Sequence, residues 1–142
     1  MMGMDFKSKR VVAMGSGTGV LAILAEKRGA NDIVAIDIEE WSAENCADNA
    51  MKNGCEHIQS LHGGMEVIPT EPFDYVLANI NKNVLTAQMS TYVERMKIGG
   101  HLFLSGFFVS DTDELKMLAS RLKLQFQAQH EREGWAVLLF KK

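Results

Sequence analysis

The sequence predicts an α/β fold: a mostly parallel twisted sheet with helices on both faces and an antiparallel hairpin along its C-terminal edge. Three observations carry this. Short apolar or β-branched runs alternate with longer stretches whose apolar residues recur at helical spacing, the pattern of strands joined by crossover helices. A cluster of glycines follows the first run and opens the first helical stretch. The last two runs are joined only by Glu131–Gly134, and so short a link permits an antiparallel pair alone.

Taken in order, Val11–Met14 is the first strand, entered from the polar Lys7-Ser8-Lys9-Arg10, which reads as a solvated edge. Val20–Arg28 is a helix, almost wholly apolar through Ala25, with Gly29 placed to end it. Ile33–Ile36 is the second strand and runs into Asp37. From Glu40 to Asn53, the residues Ala43, Cys46, Ala47, Ala50 and Met51 fall at i, i+3, i+4, i+7 and i+8, one helical stripe closed by Gly54. Ile58–Leu61 is a weaker strand, and Phe73–Ala78 a strong one bounded by Pro72 and Asn79. Leu85, Met89, Tyr92, Val93 and Met96 form the next helical face, stopped by Gly99-Gly100, and Leu102–Leu104 is the strand beyond. Asp111-Thr112-Asp113-Glu114 resembles a capping box for a helix carrying Leu115, Leu118, Ala119 and Leu122. Strands around Leu124–Ala128 and Trp135–Phe140 complete the hairpin. Met51, Met89 and Met96 read as packing residues, Trp41 as a first-turn core anchor or else the border of a ligand pocket, and Phe107 and Phe108 as core or else the lining of a substrate mouth.

Composition narrows the class. The chain has 142 residues, with 15 Lys+Arg against 18 Asp+Glu, 46% hydrophobic and 23% charged, and fits a single domain over 1–142. A chain of this size buries about 70% of its unfolded surface, enough for a core without staples. Disorder and fibrous repeats are excluded. The net charge of −3 argues against direct nucleic-acid binding, which calls for a basic face. No uncharged apolar run approaches the roughly 18 residues of a membrane span and no leader is visible, so a cytoplasmic protein without membrane contact is expected. Cys46 and Cys55 are too few for a disulfide framework and wrongly spaced for zinc, and His57, His62, His101 and His130 are scattered. No metal is expected.

The informative segment is Val12-Ala13-Met14-Gly15-Ser16-Gly17-Thr18-Gly19, at the first strand-to-helix turn. Alternating glycines let backbone approach a ligand closely, and ligands of open α/β sheets bind beyond the carboxyl ends of the strands. The dinucleotide fingerprint G-x-G-x-x-G would need its third glycine where Val20 stands, and no Gly-Lys-Ser/Thr follows, so dinucleotide and triphosphate loops are both excluded. A ligand without a pyrophosphate fits this loop better. Asp37 stands 22 residues after Gly15, at the end of the second strand, where a carboxylate can accept from vicinal ribose hydroxyls. Its other reading is the N-cap of the following helix, and the two are compatible.

The glycine loop, Asp37 and the strand Phe73-Asp74-Tyr75-Val76-Leu77-Ala78-Asn79-Ile80 together resemble class I S-adenosylmethionine-dependent methyltransferases. More narrowly, Ala78-Asn79-Ile80-Asn81, Gly99-Gly100-His101-Leu102-Phe103-Leu104-Ser105-Gly106 and Gly134-Trp135-Ala136-Val137 resemble the PrmA family, which methylates ribosomal protein L-eleven. The resemblance runs from about Val11 to Lys141 and implies a Rossmann-like methyltransferase fold with S-adenosyl-L-methionine as cofactor and a ribosomal protein as partner. By position it implies that Gly15 contacts the methionine moiety, that Gly17 and Gly19 shape the turn, and that Asp37 holds the ribose hydroxyls. Ile38 would lie against the adenine, or be an ordinary core residue. Asn79 would sit near the transferred methyl and the incoming amine, or be a strand terminus bonded to local backbone.

Methyl transfer from a sulfonium is an in-line displacement on an activated carbon, so the protein supplies mainly position, worth about 7–11 kcal/mol when geometry is good. A lysine nucleophile must first shed a proton from a pKa near 10.4, which desolvation and the cofactor's charge depress. The amide oxygen of Asn79 is the candidate to accept an amine N–H and aim the lone pair, with no dedicated base.

Three features depart from the family pattern. Ala13 stands where an acidic residue of the family usually helps organise the methionine end, and Gly63-Gly64 stand at the end of the third strand, where an acidic residue of the family often meets the adenine amine and where Glu66 is the nearby acid that could reach across. The family also has an N-terminal recognition domain, followed by a helix and a threonine-bearing loop over the cofactor, whereas Met1-Met2-Gly3-Met4 stand barely ahead of the first strand. That opening reads as a shortened chain or an unusual start. The expected activity is therefore N-methylation of a ribosomal protein. The alternatives are a degenerate, non-catalytic cofactor-binding or interaction domain, and a small-molecule methyltransferase.

Overall fold

The structure, a computed structural model, describes residues 5–142; the Met1-Met2-Gly3-Met4 run lies outside them. The chain divides into two compact units, one up to Pro69 and one from Thr70 to Lys142.

The first unit is a parallel sheet in the order β3-β2-β1, with β1 at Arg10–Met14, β2 at Asp32–Asp37 and β3 at Ile58–His62. Val11–Met14 and Ile33–Asp37 are buried without interruption, as strands covered on both faces must be, which is why they read as apolar runs rather than alternating ones. Helix α1 (Val20–Lys27) packs on β1 and β2, and α2 (Glu40–Lys52) on β2 and β3. Two polar ties fix the edge: Ser60 Oγ donates to the Ala43 carbonyl at 2.6 Å, and the Glu26 carboxylate accepts from the Glu56 and His57 amides.

Helix α2 turns a slightly different face inward than its sequence stripe predicts. Ser42, Ala43, Cys46 and Ala50 are buried, whereas Ala47 is exposed and Met51 is 79% exposed. With 3.6 residues per turn, the centre of the buried face lies between Ala43 and Cys46, which leaves Met51 well round the flank. Trp41, expected as a core anchor, is 63% exposed on the opposite side of the same helix.

The second unit orders its strands β4-β5-β7-β6, with β4 at Phe73–Asn79, β5 at Met96–Phe108, β6 at Gln125–Arg132 and β7 at Trp135–Lys141. β4 and β5 are parallel; β7 pairs antiparallel with both β5 and β6. Helix α3 (Lys82–Glu94) starts where Asn81 Oδ1 accepts from the Val84 amide, and buries Leu85, Met89 and Tyr92. Here the expected boundary is corrected: Met96 belongs not to the helix but to the first position of a 13-residue strand, with Gly99-Gly100 inside it. The glycines do not stop a helix because they are hydrogen-bonded to the far end of the chain. Gly99 N–H donates to the Lys142 carbonyl, and Lys142 N–H to the Gly100 carbonyl. The Lys142 ammonium also donates to the carbonyls of Val93 and Met96, closing the C-terminus of α3.

A second correction concerns Asp111. Instead of capping α4 (Thr112–Arg121), its carboxylate accepts from the Phe108 amide, and a 3-10 turn at Val109–Asp111 leads into the helix. Phe107 is core as expected, but Phe108 is 54% exposed and stacks on Trp135 with ring centroids 4.4 Å apart.

Candidate functional site

The sequence-predicted residues Gly15, Gly17, Gly19, Asp37 and Ile38 gather at the carboxyl ends of β1 and β2 in the first unit. Asn79 ends β4 in the second.

The loop after β1 is anchored from several directions. The Gly15 and Ser16 amides both donate to the Ile36 carbonyl, at 2.9 and 3.1 Å, continuing the β1–β2 pairing past Met14. The Gly17 amide then donates to Asp37 Oδ2 at 2.9 Å, while Asp37 Oδ1 accepts from the Glu39 amide at 2.9 Å. The chain turns into α1 through Gly19, whose amide donates to the Ser16 carbonyl at 2.7 Å. Gly19 has φ +88°, and a Cβ built there would meet Cys46 Sγ at 2.8 Å, so both the conformation and the close approach of α2 demand glycine. From α2, Asn49 Nδ2 donates to the Thr18 carbonyl at 2.8 Å.

Asp37 is not the N-cap of α2, a place taken by Glu39. Its carboxylate accepts from the amide of that N-cap residue and pins the glycine loop at the same time. A carboxylate offers about four acceptor positions, so two remain for a further pair of donors. Ile38, next along, is 74% exposed and is therefore no core residue; it presents an apolar surface beside a buried carboxylate. Ser16 Oγ is buried inside the loop, against the Cys46 thiol. Beneath the loop, burial pushes the Cys46 thiol up, the Ser60 and Ser16 hydroxyls oppose the shift, and the Asp37 charge adds to it. Ala13 is buried in β1 opposite Ala35.

At the end of β3 the Gly63 amide donates to the Asp37 carbonyl at 2.9 Å, and His62 Nε2 lies 3.1 Å from the Ile38 carbonyl, the bond of an Nε2–H tautomer. The Glu66 carboxylate folds back onto the Gly64 amide at 2.9 Å, and that bond holds the acid below the usual carboxylate range.

In the second unit, Asn79 is exposed, and its Oδ1 accepts from Ser105 Oγ at 3.2 Å. The Ile80 amide donates to the Ser105 carbonyl, so two bonds join this strand end to β5. Gly106 follows at φ +90°; a Cβ there would stand 2.8 Å from Asn79 Oδ1 and 2.9 Å from Ile80 N. Sequence reasoning missed the supporting residues Asn49 and Ser105. For Asn49 the available signal was a polar residue one turn beyond Cys46; for Ser105 there was no local one.

Among the described residues, no helix is long and apolar enough to cross a membrane, and no group of three or more His, Cys, Asp or Glu is placed to hold a metal ion.

The sequence pattern of the family described as "Ribosomal protein L11 methyltransferase (PrmA)" matches residues 3–142. The chain belongs to the PrmA family. Among its PrmA relatives, the ribosomal protein L11 methyltransferase of Porphyromonas gingivalis is 41% identical over 141 residues, covering 99% of this chain and 49% of the relative. That of Bacteroides fragilis is 39% identical over 137 residues, covering 96% and 49%. The chain spans about half the length of the curated relatives it matches. The crystal structure of the ribosomal protein L11 methylase of Lactobacillus delbrueckii subsp. bulgaricus superposes with a TM-score of 0.89 at 24% identity, covering 94% of this chain and 69% of that one. Magnesium protoporphyrin IX methyltransferase of Synechocystis, solved with bound SAM, gives 0.78 at 14% identity, covering 97% and 72%. The chain therefore has the expected α/β fold, Rossmann-like and mostly parallel, with antiparallel C-terminal strands and flanking helices.

Proposed function

We propose that this chain is a methyltransferase domain that binds S-adenosyl-L-methionine and methylates amino groups of a ribosomal protein in the cytoplasm, without direct contact to nucleic acid or membrane. The observation that carries the cofactor reading is Asp37, a buried carboxylate already bonded to the Gly17 and Glu39 amides and still able to accept two donors. A vicinal diol supplies such a pair. The rest of the loop fits the same ligand: backbone at Gly15 for the methionine end, the turn through Gly17 and Gly19, and the exposed face of Ile38 for the adenine. Alanine at position 13, buried in β1, leaves the methionine end without one charged partner.

The cofactor supplies an electrophilic methyl group on a sulfonium. In this reading Asn79 is the catalytic residue that receives the amine. Its Oδ1, fixed by the Ser105 hydroxyl, accepts an N–H and orients the nitrogen lone pair, and the amine loses its proton to solvent without a dedicated base. The ribosomal-protein substrate rests on family membership and on the printed names of the relatives.

Calorimetric titration with S-adenosyl-L-methionine tests the cofactor reading. Micromolar binding by the native chain, lost in Asp37→Ala, is the expected result. No binding by a chain with an intact circular dichroism spectrum would overturn it. For Asn79, the expectation is a methyl-transfer rate lowered by Asn79→Ala with cofactor affinity unchanged.

A further inference from the structure

The glycine loop is held from α2 as well as from β2. Cys46 and Asn49 stand three positions apart on α2 and so share one face of the helix. Because Gly19 carries no side chain, α2 comes so close that a Cβ there would lie 3.3 Å from Cys46 Cα. One turn on, Asn49 Nδ2 donates to the Thr18 carbonyl at 2.8 Å. From that point the hydrogen bonds run on in one direction. The same Thr18–Gly19 peptide unit donates through its N–H to the Ser16 carbonyl at 2.7 Å. The Ser16–Gly17 unit in turn donates through the Gly17 N–H to Asp37 Oδ2 at 2.9 Å. Two peptide units and three hydrogen bonds thus connect the Asn49 amide to the Asp37 carboxylate, with every donor aimed toward the acid.

Resting on the cofactor reading above, we infer that Asn49 is a positioning residue for the ribose, acting through this relay on the carboxylate that receives the hydroxyls. A trans peptide places its C=O and N–H on opposite edges of one plane, so holding both groups stops the plane from turning. Each bond in such a chain also polarises the next, and the last one ends on a charged acceptor. Helix α1, which the loop opens, supplies no such hold, because its N-cap is Gly19 and has no side-chain bond to give. Without the Asn49 donor, the Thr18–Gly19 plane is held at one edge only. The Gly17 N–H can then swing away from Asp37 Oδ2, and the carboxylate is no longer set for a diol.

The test pairs S-adenosylhomocysteine with its 2′,3′-dideoxy analogue, which lacks the diol. Both are titrated by calorimetry into the native chain, Asn49→Asp and Asn49→Ala. Asn49→Asp keeps the shape of the side chain and puts a charged acceptor in place of the donor. Both variants should bind the parent ligand about 2- to 10-fold more weakly than the native chain does, the worth of one hydrogen bond. Their affinity for the dideoxy ligand should equal the native one. Asn49 is half-buried, and the bonds of its backbone carbonyl to Asn53 survive either change, so the variants fold. Hydrogen exchange at the Gly17 and Gly19 amides should be faster in both. Equal weakening of the two ligands is the mark of a merely structural role and overturns the inference, as does unchanged exchange. If the native chain prefers the diol and both variants match it, the inference falls and the cofactor reading stands. If the native chain binds neither ligand, the cofactor reading falls and takes this one with it.

Discussion

Replacing Gly19 with alanine tests how the glycine loop and α2 fit together. Gly19 is the N-cap of α1 at φ +88° and ψ +10°, a left-handed conformation that costs a residue with a Cβ about 1–2 kcal/mol. The new methyl would also stand 2.8 Å from Cys46 Sγ and 3.3 Å from Cys46 Cα, so α2 must shift, an overpacking that typically costs about 1–3 kcal/mol. Together these make about 2–5 kcal/mol, against a total stability of about 5–15 kcal/mol for a typical domain. At roughly 3–4 °C per kcal/mol, Tm should fall by about 6–20 °C. The assay is urea unfolding of the native chain, Gly19→Ala, Cys46→Ala and the double variant, followed by circular dichroism. Cys46→Ala removes the nearest clashing atom but not the left-handed strain. The double variant should therefore lose about 1–2 kcal/mol less than the two single losses added together. A Gly19→Ala loss below about 0.5 kcal/mol, or strict additivity, would refute the reasoning.

Two further outcomes are expected. Lys142→Met removes the ammonium that donates to the Val93 and Met96 carbonyls, and should lower stability by about 1–3 kcal/mol in the same urea assay. Burial pushes the Tyr92 phenol well above its ordinary value, so the folded state holds that proton more tightly than the unfolded chain does. Its contribution is complete below the unfolded pKa near 10 and declines as pH rises beyond it, by up to about 1.4 kcal/mol per pH unit. Tyr92→Phe should flatten that alkaline slope in unfolding curves taken from about pH 9 to 11, while losing the bond to Gln88.

What the sequence revealed and what it hid follow the range of the interactions involved. β1 and β2 are buried on both faces, so their residues advertise themselves as apolar runs, and the turn after β1 needs glycines that stand out in any window. Asp37 was legible for the same reason, since strand end and helix start both converge on it. The buried face of α2 was blurred because it is built from Ser42, Ala43, Cys46 and Ala50, residues too small to mark an angular centre. The start of β5 was hidden because Gly99-Gly100 are claimed by Lys142, a partner that no local window contains. The Ser105 bond to Asn79 likewise spans 26 residues. Glu66 was visible as a residue, but its carboxylate reaches the strand end only through the 3-10 turn that follows Gly64.

The Asp37 clasp bears on how quickly a ligand can be captured. Freezing a flexible backbone costs about 1–2 kcal/mol per residue, and a loop left free would have to meet that cost during each encounter. Here the amides of Gly15, Ser16 and Gly17 are held by the Ile36 carbonyl and the Asp37 carboxylate, partners within the fold itself. Folding has done the ordering beforehand. For the cofactor proposed above, changes to the side chains around this loop should act on how long the ligand stays far more than on how fast it arrives.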